Sequence, residues 1–167
     1  MLPNPLHPAI VHMPLAVAVL LPLAALVALW VSGRTDAKRA VWGVIVALVA
    51  ILAVSSRVAI QTGEAQEEVV ERVVTHDALE EHEEAGERLF VGSLIVLAVS
   101  ALGLVGGRVG TVARPASAAG ALVLLALAIG VGRSGGELVY EHGAASAYAS
   151  PSVPAVAADY RDDHDDR

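Results

Sequence analysis

Four stretches of this chain are apolar for long enough to cross a lipid bilayer, and that restricts the fold more than any other feature. A span needs about 20 mostly apolar residues. The candidates run from about Pro8 to Val31, Ala40 to Ile60, Leu89 to Val105 and Ala116 to Val131, the last able to continue through GGELVY. Inside hydrocarbon a segment must pair its own backbone groups, so each stretch is predicted to be a helix. The predicted fold is all-α: a four-transmembrane-helix bundle, with residues 1–145 as one membrane domain. Composition agrees. Hydrophobic residues make up 55% of the 167 and charged residues 17%, below the roughly 25% of soluble domains; mean hydropathy is +0.61. Aromatics are only 4%, so the apolar mass is Ala, Val and Leu. Pro14 and Pro22 fall within the first stretch, which membrane helices tolerate when neighbours satisfy the freed carbonyls.

The connections carry opposite charge. Arg34, Lys38 and Arg39 lie between the first two spans, and Arg108 and Arg114 between the last two. By the positive-inside rule both links face the cytoplasm. The connection between spans two and three holds Glu64, Glu67, Glu68, Glu71, Asp77, Glu80, Glu81, Glu83, Glu84 and Glu87 against Arg72 and Arg88. It is predicted to lie outside with both termini, in a multi-pass protein of the plasma membrane. The N-terminus has no Lys or Arg ahead of its apolar run, so it lacks a signal-peptide n-region and the first span is expected to be retained.

The acidic connection has structure of its own. Thr62-Gly63 is expected to break the second helix. Val70, Val74, Ala78, His82, Ala85 and Leu89 then recur three or four apart, a helical period. Thr75 is placed to cap a restart, with Asp77 in its first turn. A short surface helix followed by a long amphipathic, extracytoplasmic helix running into span three is expected. Residues 146–167, ending YRDDHDDR, read as a disordered acidic tail that contains His164.

The absence of cysteine excludes disulfides, iron–sulfur clusters and thioether-attached haem. A formal net charge of −7 argues against nucleic acid as a partner. No HExxH, P-loop or nucleophile elbow occurs.

The chemistry is carried by histidine. With this topology, His7, His12, His76, His82 and His142 reach one face, although they come from three distant segments. Imidazole ligates metals and titrates near neutral pH. His12 stands about one turn inside an apolar run, and an ionisable residue within a span is a functional candidate by default. The bland alternative is an interfacial His bonded to a carbonyl. His82 lies on the apolar stripe of its helix; satisfaction by a neighbouring Glu is the alternative. His142 follows the pair Gly135-Gly136, which allows close backbone approach or simply ends the helix. His7 and His76 read as more exposed. Arg57 and Arg133, near the outer ends of spans two and four, could meet an acid group such as a haem propionate, or snorkel to the interface.

HPAIVHMPLA, the TG of Thr62-Gly63, the HE of His82-Glu83 and GGELVYEHG occur in order from His7 to about Gly143. As a set they resemble the bacterial four-helix membrane family known as domain of unknown function 2231. That family is in turn distantly similar to membrane b-type cytochromes, in which histidines on facing helices hold haem. The resemblance implies site roles for His7, His12, His82 and His142, with Gly135, Gly136 and Tyr140.

The leading expectation is a membrane redox protein with b-type haem near the outer face. His12 and His82 would be ligands, His142 their substitute, Arg57 or Arg133 would meet the propionates, and a quinone or a redox partner protein would exchange electrons. The alternative is a Zn, Cu or Fe ion held by His12, His82 and His142 with Glu83 or Glu141. A third reading is a structural or assembly subunit whose histidines satisfy interfacial hydrogen bonds. Proton conduction is weakest, because the middles of all four spans are apolar.

Overall fold

A computed structural model describes residues 6–148, and the expected tail lies beyond Tyr148, outside the described residues. Helix α1 (His7–Ile10) is a single turn, separated by Val11 from α2 (His12–Ser32). Then come α3 (Lys38–Glu64), the short α4 (Glu67–Val70), α5 (His76–Leu102) and α6 (Gly107–Tyr140), closed by a 3-10 turn, Ala144–Tyr148. Four helical segments, His7–Ser32, α3, α5 and α6, are long and apolar enough to cross a membrane.

Helices α2 and α3, α3 and α5, α5 and α6, and α6 and α2 pack in turn around one core. The core holds Ala18, Leu21 and Ala25 of α2, Trp42, Ile45, Val49 and Leu52 of α3, Leu89 and Val96 of α5, and Ala121, Leu124 and Ala128 of α6. Larger apolar side chains face outward, among them Leu20, Leu23, Val54, Ile95, Val112, Leu122 and Ile129. A water-soluble bundle would bury them; lipid makes their exposure free of cost. Small residues instead line the helix contacts and let backbones approach, as in membrane bundles generally. A Cβ at Gly120 would stand 2.7 Å from Val96 Cγ2, and one at Gly92 would stand 3.1 Å from Leu127 Cδ1.

Several polar groups in this interior are paired across helices. The Trp42 indole N–H donates to the Ser100 carbonyl at 3.0 Å. The buried Ser100 and Ser117 hydroxyls bond to each other. Arg114 Nε donates to the Gly103 carbonyl at 2.9 Å, tying α6 to the α5–α6 turn.

One boundary differs from the sequence reading, and the restart after Thr75 agrees with it. Thr62-Gly63 does not break α3, which runs through it to Glu64; the physical reason emerges with the site below. Helix α5 starts at His76 and forms one continuous helix into its apolar half. Thr75 is its N-cap residue in extended conformation, although the side chain makes no capping hydrogen bond. Val70, Val74, Ala78 and Leu79 pack on Leu138 and Ala144 as a second small core at the acidic end. The Tyr148 hydroxyl donates to Gln66 Oε1 at 3.0 Å, so the chain stays docked there through the first residues of the expected tail.

The hydrogen-bonded Trp42 indole leaves no room beside Gly103, where a Cβ would come within 2.6 Å of two of its ring atoms. Gly103→Ala is expected to destabilise the bundle by about 1–3 kcal/mol through overpacking. Gly130→Ala, at a position open to its surroundings, is expected to be neutral or slightly stabilising, since Ala is the better helix former. Thermal unfolding of the two variants in one detergent measures the contrast.

Candidate functional site

His7 opens α1 and leans on the last turns of α3. Its Nδ1 lies 2.8 Å from the Ala59 carbonyl and 3.3 Å from Thr62 Oγ1. The Thr62 hydroxyl already donates to Ala59 O at 2.9 Å. Both neighbours therefore accept, and Nδ1 carries the proton. In a neutral ring Nε2 is then left with a bare lone pair. His7 and Thr62 thus share the Ala59 carbonyl, while α3 stays helical through Thr62-Gly63 to Glu64. Gly63 has a different task. A Cβ there would stand 3.3 Å from His7 Cε1, tighter than ordinary contact, so the glycine is the shelf on which the ring lies.

His82 repeats this arrangement on the opposite pair of helices. Its Nδ1 lies 2.8 Å from Ser134 Oγ on α6, and the Ser134 hydroxyl donates to the Val131 carbonyl at 3.2 Å. With the Ser134 hydroxyl committed to Val131, Ser134 accepts from the His82 Nδ1–H and Nε2 is left bare. Gly135 is its shelf: a Cβ there would be 3.1 Å from His82 Cε1. The two half-buried rings meet with centroids 6.2 Å apart and planes at 89°. The α1–α3 side and the α5–α6 side of the bundle join at this contact.

Hydrogen-bonding the far ring nitrogen to a carbonyl or hydroxyl is how proteins fix the tautomer and orientation of a ligating imidazole. The same bonds also serve a purely structural histidine. What distinguishes this pair is that two such rings stand edge to face, each with its Nδ1 hydrogen-bonded to a neighbouring helix.

The remaining expected residues stand elsewhere. His12 is exposed on α2. Pro14, Ala18, Leu21 and Ala25 mark the buried face of α2, and His12 precedes Pro14 by two residues, about 200° around the helix. His7, expected to be exposed, takes the inward place instead. His142 is exposed beyond the end of α6. His76 is exposed as expected, 3.6 Å from Glu71. Arg57 stands 3.8 Å from Glu64, and Arg133 Nε donates to Glu137 at 2.8 Å; both guanidinium groups are largely exposed. Glu83, Glu141 and Tyr140 are exposed, Tyr140 at 88%. Gly136, unlike Gly135, has nothing beside it. Among the described residues no three His, Asp or Glu side chains come together as a metal cluster. The set His12, His82, His142, Glu83 and Glu141 is therefore not assembled, because three of its members point outward and His142 lies past the helix end.

The sequence reading missed Ser134 and the roles of Ala59 and Thr62. Ser134 is signalled only by its place before Gly135, and a backbone acceptor such as Ala59 leaves no mark in a sequence.

Residues 3–147 match the family described as predicted membrane protein (DUF2231), and the chain belongs to that family. No curated protein and no solved structure matches the chain.

Both rings are expected to show the Nδ1–H tautomer, read from the nitrogen chemical shifts of ¹⁵N-histidine-labelled protein at a pH where they are neutral. Ser134→Ala leaves His82 Nδ1 without its acceptor and is expected to cost about 1–3 kcal/mol in thermal unfolding. It should also release the His82 tautomer while His7 keeps its own; an unchanged His82 spectrum would contradict the assignment.

Proposed function

We propose that this member of the DUF2231 membrane family binds b-type haem at the acidic end of the bundle, where His7 and His82 would hold it. The observation that carries the reading is the close pair of imidazoles from two sides of the bundle, each oriented through its Nδ1. The ring centroids stand 6.2 Å apart. Haem asks the protein for no more than two ligands, since the porphyrin supplies four. A structural or catalytic divalent site of the usual kind asks for three or four. The histidine pair suits the first demand, and this favours haem over a Zn, Cu or Fe ion.

Haem bound there would supply a one-electron couple for exchange with a quinone or a redox partner protein. The chain's own contribution is to hold two ring planes fixed through Ala59, Thr62 and Ser134, and to set them on glycine backbones. Arg57 and Arg133 stand at the same end, on α3 and α6, and each could exchange its present carboxylate partner for a propionate. The likeness to membrane b-type cytochromes belongs to this reading. So does the orientation: the basic links in the cytoplasm, the acidic end and the histidine pair outside, in a bacterial plasma membrane.

The test is a dithionite-reduced-minus-oxidised spectrum of the purified protein, expressed with haem precursor supplied. A Soret shift and an α band are expected. His7→Ala and His82→Ala should each abolish or displace the chromophore, whereas His12→Ala and His142→Ala should leave it intact. A colourless protein sinks the haem reading. A divalent ion that then binds stoichiometrically and raises the unfolding temperature would favour the metal site, and no binding of either kind would leave the pair as an interhelical staple.

Orientation can be checked separately, because the chain has no cysteine of its own. Thr35→Cys is expected to be shielded from impermeant thiol reagents in intact cells, and Glu68→Cys to react; the reverse pattern would invert the topology.

A further inference from the structure

The end of the bundle opposite the histidines carries Arg34, Lys38, Arg39, Arg108 and Arg114 against a single carboxylate, Asp36. Every ion pair among the described residues lies at the other end. Neither α3 nor α6 has an acidic residue in its first turn. The positive charge at this end is therefore not balanced within the described fold.

Three of these cations stand at the α5–α6 turn. Arg39, from α3, brings its Nη2 to 3.4 Å from where a Gly106 Cβ would be. Arg108 stands in the first turn of α6 beside Gly106. Arg114 braces the turn through its bond to the Gly103 carbonyl, which leaves Arg39 and Arg108 as the exposed pair. Exposed apolar side chains follow along the same segment: Val105, Val109 and Val112, at 46%, 50% and 67%. A cationic head position thus continues into an apolar surface at the end of a membrane-length helix.

We propose that the α5–α6 turn binds the phosphate headgroup of an anionic phospholipid, with Arg39 and Arg108 on the phosphate and acyl chain along Val109 and Val112. Guanidinium is the side chain best shaped for phosphate, and Arg39 of α3 and Arg108 of α6 both stand at this turn. The adjoining valines favour a lipid over free phosphate, which has no use for an apolar flank. Membrane-surface cations draw anionic lipids in proportion to their number.

The full chain is purified, exchanged into nanodiscs of phosphatidylcholine with or without phosphatidylglycerol, and followed by thermal unfolding. Retained lipid is counted by native mass spectrometry. Phosphatidylglycerol should raise the midpoint and be retained in preference to phosphatidylcholine. Arg39→Gln/Arg108→Gln should weaken that retention by about 25-fold, about fivefold for each cation lost. Arg72→Gln/Arg88→Gln, at the acidic end, should not change it. Equal retention by the two double variants overturns the proposal. The same midpoint shift from inorganic phosphate added to phosphatidylcholine discs also overturns it, by assigning the site to a soluble anion. Should the glutamine variant not insert, the wild-type chain decides: at least about fivefold preference for phosphatidylglycerol supports the site, and equal retention of the two lipids removes it.

Discussion

Close approach of helix backbones is the condition on which the rest of this structure depends. In lipid there is little to gain from burying leucine, because the solvent is as apolar as the side chain. The bundle therefore places leucine, isoleucine and valine outward and builds its contacts from alanine, serine and glycine, with Trp42, Leu21, Ile45, Leu52 and Leu124 as its few large core residues. Close backbones bring hydroxyls and carbonyls of different helices within bonding range, which the Trp42–Ser100–Ser117 contacts use in the half nearer the basic end. At the acidic end the same closeness lets each imidazole ring rest on the backbone of the neighbouring helix.

The histidine pair is a consequence of that geometry. Each ring is fixed by two things its own helix does not supply: a glycine that gives it space, and an oxygen that takes its Nδ1 proton. For His7 these come from Gly63, Ala59 and Thr62 of α3; for His82, from Gly135 and Ser134 of α6. A side chain larger than hydrogen at either glycine would press on the ring, and loss of the acceptor would leave a half-buried N–H unpaired. The rings are thus held by their surroundings before any ligand is considered, which is the condition for low-cost binding at a site built from two separate helices.

The helices were legible because hydropathy is a sum over about 20 residues and tolerates local error. The direction of each side chain was not. When a helix is apolar all round, the period that separates a buried face from a wetted one is nearly absent, and α2 is such a helix. That is why His12, inside the apolar run, reads as the natural ligand, although it points outward and His7 points in. His82 could be read correctly because its half of α5 is amphipathic, with glutamates marking the wet faces. Gly63 could be read as a helix breaker only because a sequence shows that a residue is small and not what lies against it. Ala59 acts through its carbonyl, which every residue has.

The two ends of the bundle differ in a way that separates their roles. At the basic end the turns are short and the cations have a single carboxylate among them, so this end presents uncompensated positive charge. At the acidic end α4, the first turns of α5 and the 3-10 turn at Tyr148 form a cap with its own small core of Val74, Leu79 and Leu138. The arginines of this end stand beside glutamates. The histidine rings lie between that cap and the apolar core, neither in lipid nor in open water. A redox or metal group placed deeper would leave its charge without polar neighbours, and one placed further out would lose the fixed rings. The level at which His7 and His82 meet is where the bundle supplies helix-borne rigidity and nearby charge together, and the backbone shelves at Gly63 and Gly135 hold the two rings at that level.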